Sequence, residues 1–336
     1  MEKPFAVFLS EQAENPYIRS VFTPAVTARI SAYVDLAPGI FSRADLGSEE
    51  LRRAEYAFST WGMAKLSEEE IRTYLPNLKA VFYGAGSVQD FARPFLAAGA
   101  AVHSAWAANA VPVVEYAVAQ IVLANKGFFQ TVSRGSAADY PMQRDAIWDF
   151  TGNYNTRVGI IGCGMIGSMV CERLRGYRLE VLVSDPFASD EKLAGLGARR
   201  ASLEEIFSRC KTISNHTANL PETVGMLRYE HFSRMMPTSV FVNTGRGAQV
   251  VEADLIRALR EDPTRAAVLD VTLPEPPEKE SPLWTLPNVF LTPHIAGSMG
   301  GEIERMGEYM ADELERRMTG RPCLYSVSLK MLETMA

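Results

Sequence analysis

The chain reads as an α/β protein whose sheets are parallel, organised in two successive domains. Three observations predict this. Its 336 residues suit about two domains. Short apolar runs alternate with helical patterns, and that alternation implies parallel sheets. A glycine-rich turn also joins a buried strand to a helix within "RVGIIGCGMIGSMVCERL", Arg157 to Leu174.

In chain order, "FAVFL" (5–9), "AEYAF" (54–58), "LKAVFYG" (78–84) and "AAVHSA" (100–105) read as buried strands. Between them, "SEEEIRTYL" (67–75) reads as a helix with Ser67 as N-cap and acidic residues in its first turn. "VQDFARPFLAAG" (88–99) reads as a helix ending at Gly99, with Pro94 near its start. The first 110 or so residues therefore form one α/β series. "VPVVEYAVAQIVLANKGFF" (111–129) has apolar residues at helical spacing, as expected of a long, largely buried helix. The stretch 130–156 is polar and irregular, with Trp148 as its one large anchor. A second series follows, with strands at 157–162, 179–184, 211–214, 239–243, 266–271 and 289–292. Helices are expected at 202–210, where Ser202 and Glu205 have capping-box spacing, and at 251–261. The segment 300–320 reads as one amphipathic helix.

Composition narrows the function. Hydrophobic residues make up 47% and charged residues 22%, as in a soluble globular protein with a full core. The net charge of −6 argues against a nucleic-acid partner. Cys163, Cys171, Cys210 and Cys323 have no metal-ligand spacing, so no metal and no disulfide framework is expected. "FAVFL" is too short for a signal peptide. The apolar stretch 105–124 is interrupted by Asn109, Pro112, Glu115 and Gln120, so no membrane span is expected. These readings place the chain in the cytoplasm.

The glycine turn has the context of a dinucleotide site: a strand before it, a helix after it, and an acidic residue downstream. Gly162 permits the tight turn, Gly164 lets backbone approach a pyrophosphate, and Gly167 lets helix and strand pack. The helix N-terminus favours the anion. Asp185 ends the next strand, where it would accept from the ribose hydroxyls and repel a 2′-phosphate. Pro186 and Phe187 bring no arginine for such a phosphate, so NAD is favoured over NADP.

Three more residue groups lie just past predicted strands, where open α/β sheets bind ligands. They are Arg246 in "FVNTGRGAQV", Asp270 and Glu275 in "LDVTLPEPP", and His294 in "FLTPHIAGSMG". Taken singly, each is compatible with a solvated loop or a structural hydrogen bond. Together they suit reduction of a 2-keto acid. Arginine's planar fork matches a carboxylate. Histidine is a proton donor near neutral pH, and a neighbouring carboxylate would orient it.

From about residue 78 onward the chain resembles the NAD-dependent D-isomer-specific 2-hydroxyacid dehydrogenases. The likeness rests on "FYGAGS" (82–87), "NAVPVVEYAVAQIVLA" (109–124), "VGIIGCGMIG" (158–167), "NHTANLPET" (215–223), "FVNTGRG" (241–247), "LDVTLPEPP" (269–277) and "SPLWTLPNVFLTPHIAG" (281–297). The resemblance implies that Arg246 binds substrate, Glu275 pairs with histidine, and His294 is the acid–base group. It implies that Asp270 touches the nicotinamide carboxamide and that Met165 and Ile166 line the pyrophosphate. Thr223 and Thr244 would stand near the cofactor, and the backbone of Ala85, Gly86 and Ser87 would hold the substrate carboxylate. It implies two doubly wound domains separated by a cleft. One is a flavodoxin-like substrate domain (1–111 and 299–336), the other a Rossmann-like NAD domain (112–298). It also implies a homodimer through the long helix after 112, which reads equally as a monomer's core helix.

The first 75 residues match poorly, including the strand-end loop "STWGMAK" (59–65). There Trp61 either walls a pocket for a small or apolar group or simply packs. Two other readings stay open: an NAD-sensing corepressor without turnover, and a phosphoglycerate-type dehydrogenase. The latter needs cations for a phosphate, with Arg29, Arg52, Arg53 and Lys65 as candidates.

Overall fold

The computed structural model describes residues 3–132 and 140–333. Thirteen strands occur among them: β1 (Phe5–Leu9), β2 (Asp35–Phe41), β3 (Tyr56–Ser59), β4 (Ala80–Tyr83), β5 (Ala101–Ser104), β6 (Tyr154–Ile161), β7 (Arg178–Ser184), β8 (Ala198–Arg200), β9 (Thr212–Asn215), β10 (Val240–Asn243), β11 (Ala266–Leu269), β12 (Val289–Leu291) and β13 (Ser326–Val327). The chain divides into two compact units. Unit 1 is Met1–Ala110 with Ser298–Ala336, and unit 2 is Val111–Gly297.

Unit 1 carries a six-stranded sheet in the order β13-β5-β4-β3-β1-β2. Five strands are parallel, and β13 adds antiparallel to β5. The buried strand interior is aromatic. Phe58 stacks on Phe82 at 5.1 Å, and Phe82 stacks on His103 at 4.9 Å. Each buried phenylalanine contributes roughly 1.5–3 kcal/mol. The edge strand β2 is not foreshadowed by the apolar pattern. Its sequence DLAPGIF contains Pro38 and Gly39, which are tolerated on an edge where one side of the strand needs no ladder bond.

The helix Glu302–Met318 packs within unit 1 so closely that a Cβ on Gly307 would lie 2.0 Å from the Val21 carbonyl oxygen. The same helix buries Glu313 completely. Its carboxylate accepts from Leu324 N at 2.9 and 3.1 Å, from Tyr325 N at 3.0 Å, and lies 3.2 Å from His103 Nδ1. This network pins the segment that leads into β13. It also gives His103, which lacks any partner in the sequence pattern, a structural place. Cys323 completes a group of donor atoms within 4.8 Å of one another, but the carboxylate is already committed to backbone amides.

Unit 2 carries a seven-stranded, wholly parallel sheet in the order β12-β11-β10-β9-β6-β7-β8. The first strand, β6, lies inside the sheet, with later strands added on both sides. The winding therefore reverses between β6 and β9, and the glycine turn follows β6 at that point.

The helix Trp106–Asn125 starts five residues before the expected 111 and holds Pro112 in its interior. Burial of Ala108 and Ala110 supports the extra turn in spite of the missing proline N–H. The helix is long and apolar enough to cross a membrane by composition. However, Val114, Ala117 and Ile121 pack into the unit 2 core with Val158, Ile160 and Leu174. It ends before Gly127, whose φ of 73° starts the separate helix Phe128–Thr131. Trp148 is not an anchor. It lies in a 3-10 turn, 86% exposed, because no apolar partner faces it among the described residues. The capping boxes at Ser67/Glu70 and Ser202/Glu205 both form.

Burial opposes the charge of Glu313, but the hydrogen bonds from His103, Leu324 and Tyr325 outweigh it and hold the carboxyl below the usual glutamate range. Its stabilising contribution is thus complete above that range and is lost as pH falls through the lowered folded value. Glu313→Gln should cost about 3 kcal/mol, in the range for breaking a buried charged network. It should also flatten the acid limb of stability. Urea denaturation at pH 7 and pH 4 checks this, and an unchanged midpoint at both would remove the network from the fold's support.

Candidate active site

In unit 2 the strand ends line up. Ile161 pairs with Ser184 and Asn215, Asn215 with Asn243, Asn243 with Leu269, and Leu269 with Leu291. The residues one step further on are Gly162, Asp185, His216, Thr244, Asp270 and Thr292. Register alone therefore places a row of turn-forming and polar residues along one edge of the sheet.

Gly162 has φ 84°, and a Cβ there would meet the His216–Thr217 backbone at 2.9 Å. A Cβ on Gly167 would sit 2.0 Å from the Gly162 carbonyl oxygen. Both positions therefore require glycine. A Cβ on Gly164 would meet nothing within 4 Å, so its exposed side is open. Gly164 is the N-cap of the helix Met165–Leu174, and no side chain caps that end. Met165 and Ile166 occupy the first turn, and its uncapped amides suit a phosphate-bearing group. The cradle fits a dinucleotide.

Asp185 already bridges this turn to the end of β7. Its Oδ2 accepts from Cys163 N at 2.6 Å, and its Oδ1 accepts from Phe187 N at 2.7 Å and Ala188 N at 2.9 Å. A carboxylate offers roughly four lone-pair sites, so some capacity for ribose remains. Arg200, which no sequence pattern singles out, donates to the Asp185 carbonyl at 2.8 Å. That guanidinium is committed to Asp190 at 2.7 Å. Cys163 is buried with Val170 and Leu174 as an apolar filler should be. Its thiol is nonetheless drawn below the ordinary thiol range by hydrogen bonding with Cys171 and Ser168, aided by Lys192.

His294 and Glu275 meet. Nδ1 of the ring lies 2.7 Å from Glu275 Oε1, with both side chains about half exposed. An ionised carboxylate can only accept, so Nδ1 carries the proton and Nε2 faces away from the pair. His294 adopts φ 56°, an unusual conformation for a non-glycine residue. Its N–H donates to Asp270 O at 3.1 Å and Thr292 O at 3.0 Å. The Asp270 carboxylate, buried, accepts from Thr292 Oγ1 at 2.6 Å, Ile295 N at 2.8 Å and Ala296 N at 2.9 Å. Asp270 thus fastens the histidine loop from beneath, a role the sequence pattern does not reveal. Thr292 spends its one proton on Asp270, so the hydroxyl of Tyr116, 3.0 Å away, must donate to Thr292.

Arg246 is brought to the same region by its neighbour. A Cβ on Gly247 would lie 1.9 Å from the Thr272 carbonyl carbon, so the two loops are in backbone contact. Burial lowers the affinity of the Arg246 guanidinium for its proton, and the charge of Glu275 opposes that effect. One nitrogen, Nη1, donates to Gly245 O at 2.7 Å, leaving the rest of the fork available. Beneath the loop lies a buried amide cluster that the sequence reading missed. Asn215 Nδ2 donates to Gln249 Oε1 at 2.6 Å and to Asn243 Oδ1 at 3.0 Å. Gln249 Oε1 also accepts from Arg246 N at 3.2 Å, and Asn243 Nδ2 donates to Arg246 O at 3.2 Å. All three amides are fully buried, Asn215 and Asn243 at strand ends and Gln249 in the turn Gly247–Gln249, and the asparagines at the ends of two predicted strands were the available signal.

His216 is hydrogen-bonded between Ser214 Oγ at 2.9 Å and Thr244 Oγ1 at 3.3 Å, and burial pushes it down to about 4. It is neutral near pH 7 and shapes its loop. The Thr223 hydroxyl serves its own turn, donating to Ala218 O at 2.7 Å. In unit 1, Ala85, Gly86 and Ser87 follow β4, and Ser104 Oγ holds the Ala85 and Gly86 carbonyls at 2.8 and 2.7 Å.

The D-isomer specific 2-hydroxyacid dehydrogenase, NAD binding domain, matches residues 119–296 of the chain. The chain is 33% identical over 175 residues to the D-3-phosphoglycerate dehydrogenase of Archaeoglobus fulgidus, covering 52% of this chain and 33% of that protein. It is 31% identical over 259 residues to the D-3-phosphoglycerate dehydrogenase of Mycobacterium tuberculosis, covering 75% and 47%. The chain therefore spans a third to about half the length of these curated relatives. Among solved structures, the D-mandelate dehydrogenase of Rhodotorula graminis aligns with a TM-score of 0.79 at 18% identity, covering 97% of this chain and 98% of that one. At that identity the likeness speaks for the fold alone.

Asp185→Ala should weaken NAD binding by about 10–100-fold, the worth of a charged hydrogen bond, and narrow the preference for NAD over NADP. Titration of both nucleotides against protein fluorescence checks it. An unaltered ratio would take Asp185 out of the ribose site.

Proposed function

Because the chain belongs to the D-isomer specific 2-hydroxyacid dehydrogenases, we propose that it interconverts a 2-keto acid and a D-2-hydroxy acid with NAD. The observation that carries this reading is the 2.7 Å His294–Glu275 pair, on loops packed against the one that bears Arg246. NADH, when bound, supplies the hydride that reaches the 2-carbon. The guanidinium of Arg246 clamps the substrate carboxylate and polarises the carbonyl. Nε2 of protonated His294 gives its proton to the carbonyl oxygen as that oxygen gains charge. Glu275 keeps Nδ1 as donor, fixes the ring plane and complements the imidazolium. In the reverse direction neutral Nε2 takes the hydroxyl proton. The backbone of Ala85, Gly86 and Ser87 is proposed to bind the substrate carboxylate. Asp270, Thr223 and Thr244 are proposed as cofactor neighbours, with Asp270 limited to the lone pair its internal bonds leave free. The corepressor alternative draws no support from the comparisons.

His294→Ala should lower kcat by about 10²–10⁴-fold while NADH binding is nearly kept. An unchanged rate in steady-state assays would dismiss the acid role. Gln249→Leu removes the amide that holds Arg246 N–H. It should lower kcat/KM for the keto acid by about 10–100-fold through misplacement of the guanidinium. The loss should fall mainly on KM, with NADH affinity retained. A variant with normal KM would show that the cluster does not position Arg246.

A further inference from the structure

The sheet of unit 1 also reverses its winding. The chain passes from β1 to the edge strand β2 and then returns to β3 on the other side of β1. Ligands of open α/β sheets bind beyond the carboxyl ends of the strands at such a point. The segments leaving β1 and β3 meet there. Asn15, buried, donates to Trp61 O at 2.6 Å and to Ser10 Oγ at 3.0 Å, while its Oδ1 accepts from Tyr17 N at 3.0 Å. Glu11 N donates to Gly62 O at 2.7 Å. On this fixed backbone the rings of Tyr17 and Trp61 meet edge to face, with centroids 5.5 Å apart. Tyr17 is 51% exposed, although its ring has an aromatic partner. Thr60 Oγ1 donates to Gly84 O at 2.8 Å, which ties the Trp61 loop to the loop of Ala85, Gly86 and Ser87.

The cations nearby are already paired. Lys65, the one cation within 10–17, 60–66 and 84–91, pairs with Asp90 at 2.9 Å. Arg43 reaches over the Lys65 carbonyl and pairs with Glu70 at 2.5 Å. Of the other candidate cations, Arg29 pairs with Asp312 at 2.5 Å. Arg53 lies over Phe5, at the opposite end of β1. A phosphate or second carboxylate placed beyond β1 and β3 would meet Glu11, Glu14 and Asp90 and no uncommitted lysine or arginine of these loops.

We propose that the Tyr17–Trp61 face receives the C3 substituent of the substrate. The preferred substrate is then a monocarboxylic 2-keto acid with an uncharged apolar or aromatic side chain, and phosphorylated and dicarboxylic keto acids are disfavoured. This rests on the dehydrogenase reading above and adds the substrate class. It also parts from the phosphoglycerate chemistry in the names of the curated relatives.

NADH oxidation should be followed with phenylpyruvate, 4-methyl-2-oxopentanoate, pyruvate, oxaloacetate and phosphohydroxypyruvate. The first two should exceed pyruvate in kcat/KM by about 10–100-fold, the scale of discrimination by an apolar pocket, and the last two should fall below it. Trp61→Ala should lower the ratio of phenylpyruvate to pyruvate by about tenfold. Tyr17→Ala should lower the same ratio, and it spares the Asn15 network should the tryptophan variant fail to fold. Best turnover of phosphohydroxypyruvate or oxaloacetate, or a ratio that neither variant moves, overturns the substrate class and leaves the dehydrogenase standing. No oxidation with any of the five overturns the dehydrogenase reading and this inference with it.

Discussion

The chemistry proposed for unit 2 depends on one buried carboxylate. His294 adopts a left-handed backbone conformation, which costs an L-residue roughly 1–2 kcal/mol. Asp270 offsets that cost with bonds to the amides of Ile295 and Ala296 and to the Thr292 hydroxyl, and its own carbonyl accepts from His294. Hydrogen bonds to a charged acceptor are roughly twice as strong as neutral ones. The loop is therefore over-determined, and the ring is aimed before any ligand arrives. The register explains why Asp270 can do this. Leu269 pairs with Leu291, so the next residues on each strand, Asp270 and Thr292, emerge side by side.

The same logic recurs across the sheet. Asp185 holds the glycine turn to the end of β7 through Cys163 N. The amides of Asn215, Asn243 and Gln249 hold the Arg246 loop. Each is a polar group at or just beyond the aligned strand ends that satisfies backbone which strand pairing no longer serves. Buried polar groups carry a heavy penalty unless paired, so a fully satisfied network fixes one arrangement and excludes looser ones. The side chains proposed for catalysis sit on such loops and would inherit their precision from this backbone accounting.

Much of this was legible in the sequence, and the limits follow a physical rule. Local signals read true. Ser67 and Ser202 announce their helices because the capping partner lies three residues away. The glycine spacing announces its turn because the steric demand is local. His294, Glu275 and Arg246 stand out as reactive residue types past predicted strands. Signals that depend on long-range partners were lost. Asp270 and Asp185 read as ligand contacts, yet much of their capacity goes to amides that the fold brings to them. Gln249 passes for a polar loop residue until Asn215 is beside it. β2 escapes the apolar pattern because it holds Pro38 and Gly39, which are tolerated because the strand is an edge. Trp148 shows the opposite error, since size alone suggested an anchor where the structure leaves the ring 86% exposed.

The two units also differ in what holds their strand-end loops, and that difference bears on what can change. The groups assigned to proton transfer and carboxylate binding rest on buried polar networks, where altering one member leaves another unsatisfied at about 1–3 kcal/mol. The Tyr17–Trp61 face rests on Asn15 bonds to backbone atoms, the Trp61 carbonyl and the Tyr17 amide, which no side-chain substitution at 17 or 61 removes. The Tyr17 ring, 51% exposed, can be exchanged at small cost to folding, because little buried area or hydrogen bonding is lost with it, whereas Trp61 also packs against the unit 1 core. Such a surface can be retuned toward a new side chain without disturbing the reaction. The chemistry is therefore the constrained part of this fold, and the shape of the substrate is the adjustable part.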